Sequence, residues 1–166
     1  MREIVYEFKL ENGSIWKYVL HFDDSHHYIP PESTDVKSWT ALDFNKCPNC
    51  PLQQSEVPQC PVARNLDRVV EDSKSTLSWT KAVVQVTTKE RTYVKNCATQ
   101  EGLRSLFGVV MASSGCPHLD WLRPLARFHL PFSDVDETLW RVLSLQLLRQ
   151  YFGKHEVSHE ASMIKI

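Results

Sequence analysis

Four of the five cysteines in this chain are each followed by proline: Cys47-Pro48, Cys50-Pro51, Cys60-Pro61 and Cys116-Pro117. Only nine prolines occur in 166 residues, so the repetition separates a set of four from the remaining Cys97, which stands in a stretch of strand character. Four thiolates are the donor set of a tetrahedral zinc site. Cys47-x-x-Cys50 supplies a two-ligand knuckle, Cys60 closes a short loop, and Cys116 arrives from a distant element. A metal-bound thiolate keeps negative charge that backbone N–H groups stabilise, and in a tight turn those donors lie two and three residues beyond the ligand. Proline directly after the cysteine fixes φ at about −65° and gives up only the amide least suited to that task. Both donor positions are non-proline at all four sites: Asn49 and Cys50, Leu52 and Gln53, Val62 and Ala63, His118 and Leu119. Proline is also favoured as the first helical residue, so Cys60 and Cys116 are placed to start helices, where the dipole favours a thiolate.

Zinc is the expected metal, and an iron–sulfur cluster, which takes the same four thiolates, is the alternative. A redox dithiol at Cys47 and Cys50 lacks the strand-to-helix context of a thioredoxin-like motif. Simple burial explains neither the prolines nor the Cys-x-x-Cys spacing. The site is closed, with no open coordination position, which argues for structure more than catalysis.

The other reactive residues form weaker patterns. His155-Glu156-Val157-Ser158-His159 matches the His-Glu-x-x-His signature of zinc hydrolases, but it follows Gly153, has no apolar flank and is directly followed by Glu160. A solvated tail is the preferred reading. Cys116 and His118, two residues apart, do not normally face each other, so His118 is a spare or supporting ligand rather than a base. Arg123, Arg127 and His129 form a cationic cluster suited to an anionic ligand or to ordinary surface charge, and His26-His27 reads as a loop pair. No Walker loop, dinucleotide fingerprint or serine-nucleophile elbow occurs.

The elements that must position these groups follow from periodicity. Residues 4–10 and 14–22 alternate apolar and polar around Asn12-Gly13, a hairpin signal. Residues 23–38 are polar and read as a loop, after which Trp39, Leu42 and Phe44 return the chain to the core. The Cys- and Pro-rich stretch 45–61 is irregular. Leu66, Val69, Val70 and Leu77 have helical spacing, and a second hairpin is expected over 82–88 and 91–97 across Lys89-Glu90. Leu103, Leu106, Phe107, Val110 and Met111 define a one-sided helix stopped by Ser114-Gly115. Residues 117–131 hold at most a short helix. Ser133, with Asp136 three residues on, opens a last helix that is apolar on all sides and ends at Gly153. The reading is α+β: two antiparallel β-hairpins in one sheet packed with three to four helices, a single domain over 1–153 and a polar tail over 154–166.

Composition is that of an ordinary globular domain, with a formal net charge of −1 and no run apolar enough to span a membrane. Neither nucleic acid nor membrane is indicated as a partner; an unknown protein or a second copy, through the apolar last helix, is. The N-terminus lacks a signal peptide, so a cytoplasmic location and reduced thiols are expected. The motifs Cys-Pro-Asn-Cys-Pro-Leu (47–52), Cys-Pro-Val-Ala (60–63), Ser-Gly-Cys-Pro-His (114–118) and Arg-Pro-Leu-Ala-Arg-Phe-His-Leu-Pro-Phe (123–132) resemble a small bacterial family of unknown function. That resemblance covers residues 1 to about 152 and implies a bacterial cytoplasmic protein with no assigned activity. The function expected is a non-catalytic, metal-stapled module in regulation or protein interaction; the alternative is an iron–sulfur or thiol redox sensor.

Overall fold

The two alternating stretches at the start of the chain form the hairpin their pattern demands. β1 (Arg2–Leu10) and β2 (Ile15–Phe22) pair antiparallel, with Tyr6 opposite Tyr18 and Phe8 opposite Trp16. These and the following observations come from a computed structural model that describes residues 2–31 and 36–154. The turn differs in detail from the expected tight Asn-Gly pair. Leu10 N–H donates to the Ser14 carbonyl and Gly13 N–H to that of Leu10, while Gly13 alone takes a left-handed φ of 86°. This is a three-residue loop with a glycine bulge, a form equally matched to strand twist.

Both hairpins join one antiparallel sheet of order β3-β2-β1-β4-β5. β4 (Lys81–Thr87) pairs with β1, placing Val84 opposite Phe8, and β5 (Thr92–Ala98) returns beside β4 across Lys89-Glu90. The polar stretch after β2 is not wholly loop: Tyr28–Ile29 adds as the two-residue strand β3.

Alternation sends Ile4, Tyr6, Phe8, Leu10, Tyr18, Leu20, Phe22, Val84 and Val86 to one buried face. On that face lie α1 (Pro61–Ser73) and α2 (Thr99–Ala112), contributing Leu66 and Val69, and Leu106, Val109 and Val110. The α1 periodicity was extended one turn too far by Leu77, which lies beyond the helix and is 56% exposed. Of the three residues expected to return the chain to the core, Leu42 is buried but Phe44 is 57% exposed. α2 sits so close to the sheet that a Cβ on Gly102 would stand 2.6 Å from Phe8 Cε1. The short helix α3 (Arg123–Arg127) follows a 3₁₀ turn and buries Ala126.

The chain divides into two compact units, residues 1–132 and 133–166. Of the second, the described part is α4 (Val135–Lys154) with its cap. Its capping box is one residue later than Ser133 suggested. Glu137 N–H donates to Asp134 Oδ1 at 2.7 Å, and Asp134 N–H donates to Glu137 Oε2 at 3.1 Å. Gly153 does not stop the helix, which includes Lys154. The His155–His159 pattern lies outside the described residues.

Candidate metal centre

The four Cys-Pro cysteines all lie in turns or at a helix start, while Cys97 lies within β5 opposite Ala82. Cys97 is in the core, and burial, then Glu101, pushes its thiol up from the ordinary value. The separation of one cysteine from four therefore has a structural counterpart. All five are free thiols.

Proline sets the local form at each site. Cys47-Pro48-Asn49-Cys50 is a turn closed by Cys50 N–H donating to the Cys47 carbonyl at 2.9 Å. Cys60 is the N-cap of α1 with Pro61 as its first residue, as the preference of proline for that position requires. Arg64 N–H donates to the Cys60 carbonyl at 2.9 Å, the first bond of that helix. Cys116 starts a turn rather than a full helix: Leu119 and Asp120 N–H both donate to its carbonyl, each at 2.9 Å. Gly115 just before it has φ 79°, a conformation that favours glycine. The amides of Cys50 and Leu119, assigned from sequence to the thiolates, thus serve backbone carbonyls.

Distant parts of the set are tied together. His118 donates from Nε2 to the Asn49 carbonyl at 2.8 Å, joining the Cys116 turn to the Cys47–Cys50 turn. Because a carbonyl only accepts, Nε2 is the donor here, and Nδ1 is the nitrogen left to bind a metal. The Cys60 region is closed at its base by Cys60 N–H donating to the Thr40 carbonyl at 2.8 Å and by the Ala41–Gln59 bridge. Pro58, Gln59 and Pro61 beside Cys60 line one cavity of about 280 Å³ with Ser114, two residues before Cys116. Yet among the described residues no group of three or more His, Cys, Asp or Glu is gathered closely enough to hold a metal ion.

The cationic cluster read from sequence is split. His129 Nε2 meets the hydroxyl of Tyr6, which also bonds Ser105 Oγ at 2.9 Å, while Phe132 N–H donates to Ser105 Oγ at 3.2 Å. This part-buried network holds residues 129–132 against the sheet and α2. Burial raises the Tyr6 phenol well above its ordinary range. Arg123 faces another way and donates to His27, Arg127 lies over the Phe128 ring, and Arg2 donates to the Ala126 carbonyl beside it. No spacing signal links Arg2 or His26 to α3; only the sheet brings them there.

Geometry and topology define a single-sheet α+β protein with α1 and α2 on one face and Cys-Pro turns in its connections. The chain belongs to the family described as Domain of unknown function (DUF6901), whose model matches residues 4–163. The match runs past residue 152, where the resemblance was expected to stop, and so takes in the His155–His159 segment. No curated protein and no solved structure matches the chain. Among the described residues no helix is long and apolar enough to cross a membrane.

Proposed function

We propose that this chain is a non-catalytic module stapled by one zinc ion on Cys47, Cys50, Cys60 and Cys116, serving in regulation or protein interaction. The observation that carries the reading is the His118–Asn49 hydrogen bond, which ties the two-cysteine turn to the Cys116 turn across 69 positions of sequence. Thiols alone have no attraction that draws four of them into contact. The metal supplies it, and the free energy of binding then becomes folding free energy. A staple of this kind would join the connection before α1 to the one after α2, and so fix both ends of the helical layer.

The histidines support a structural role. His118 is engaged with Asn49, His129 with Tyr6, and His27 with Arg123, so none of these three imidazoles is paired with a cysteine as a base. Apolar residues on every side of α4 favour a protein partner or a second copy as the binding target.

The test is metal content and colour of the purified protein with single cysteine substitutions. Cys47→Ser, Cys50→Ser, Cys60→Ser and Cys116→Ser should each lose zinc and stability, whereas Cys97→Ala keeps the metal. Equal metal content in all five variants would sink the proposal. Brown protein containing iron and sulfide would replace zinc by a cluster on the same thiolates.

A further inference from the structure

Three arginines and a histidine pair from separate parts of the chain meet beside α3. Arg2, at the start of β1, donates from Nη1 to the Ala126 carbonyl at 3.2 Å, which places it against the last turn of α3. Arg123 and Arg127 are four residues apart on that helix and share a face. The carboxylates in this region are drawn to one side. Arg123 pairs with Asp120 at 3.3 Å and donates to His27 Nε2, while Asp23 lies 3.6 Å from His27 Nδ1.

The other side is left positive. Among the described residues neither Arg2 nor Arg127 has a carboxylate within ion-pair distance; Arg127 lies over the Phe128 ring at 5.3 Å, and Arg2 feels Glu90 only at longer range. His26, beside the Arg123-bound His27, has a left-handed conformation, φ 65°, and a buried Nδ1 with no hydrogen-bond partner among the described residues. Burial, then Arg127, Arg2 and Arg123, lowers its pKa, and Asp23 alone opposes them. A strained, unsatisfied ring among like charges costs stability, and such costs persist where a ligand uses them.

We infer that Arg2, Arg127 and His26 form a binding site for a doubly charged oxyanion, a phosphoryl or dicarboxylate group. Guanidinium groups match both in fork geometry, and the buried imidazole nitrogen gains a partner when the ligand or its bound water approaches. The site is independent of the cysteines and stands whether or not they bind metal.

Thermal unfolding and calorimetric titration with inorganic phosphate and with malonate, at constant ionic strength, test it. Saturable stabilisation of the wild-type chain by phosphate assigns a phosphoryl ligand, and by malonate a dicarboxylate. Arg127→Gln should weaken that affinity about tenfold or more, while being at least as stable as wild type in anion-free buffer, because repulsion is relieved. His26→Gly keeps the left-handed backbone at no steric cost and should also weaken binding. The inference is overturned if neither anion stabilises the wild type, if Arg127→Gln responds as wild type does, or if that variant unfolds without anion.

Discussion

Two glycines in one helix should respond to the same substitution with opposite sign. Gly102 and Gly108 both lie inside α2. A Cβ at Gly102 would stand 2.6 Å from Phe8 Cε1 and 2.8 Å from Val84 Cγ2, against the 3.4 Å at which ordinary contact begins. Both neighbours are fully buried, so neither can swing away into solvent. A Cβ at Gly108 meets nothing within 4 Å. Replacing helical glycine by alanine gains about 1 kcal/mol at either position. Overpacking a filled core costs about 1–3 kcal/mol, and only Gly102→Ala incurs it. Gly108→Ala should therefore stabilise by about 1 kcal/mol, with Gly102→Ala about 1–3 kcal/mol below it. Because the propensity gain is common to both variants, their difference reads the packing of α2 on the sheet alone. Urea denaturation with a shared m-value measures it. If the two midpoints moved together, α2 would not be seated on Phe8 and Val84 as described.

Cys97→Ser should keep any bound metal yet lose about 1–3 kcal/mol by burying a hydroxyl, whereas Cys97→Ala should lose less, as chemical denaturation with metal analysis will show. Cys97 is part of the core cluster, so the cost follows from its burial and not from metal loss. The Tyr6 phenol is held neutral by burial, so its folded pKa lies above the unfolded value of 10.0. Its contribution is complete below that pH and is lost above it, by up to about 1.4 kcal/mol per pH unit, as stability measured from pH 8 to 11 will show. Tyr6→Phe should lessen that alkaline slope, to which the raised Tyr18 and Tyr28 also contribute, and cost about 1–3 kcal/mol at neutral pH through its two lost hydrogen bonds. Asp134→Ala removes the cap of α4 and should cost about 1 kcal/mol of helix stability, seen as reduced ellipticity on heating.

What the sequence made legible was governed by local physics. Strict alternation gave both hairpins, because only one face of each strand meets the core, and the one-sided apolar pattern gave α2. Errors came where a residue type carries two meanings. Leu77 fits the spacing of α1 but is an exposed apolar residue after its end, and Ser133 is a good cap passed over for Asp134, whose partner Glu137 reaches back. β3 was missed because two residues hold no period. The proline after Cys60 correctly marked a helix start, whereas after Cys116 it marks only a turn. The meeting of Arg2 with α3, and of Tyr6 with His129, was invisible because residues more than 120 positions apart are brought together only by the assembled sheet and helices.

The central claim is a four-thiolate zinc site, and X-ray absorption at the zinc edge of the purified chain tests it most directly. One zinc per chain with a single shell of four sulfurs at about 2.3 Å is expected. A shell of nitrogen or oxygen in place of sulfur, or a chain that retains no zinc, would contradict it.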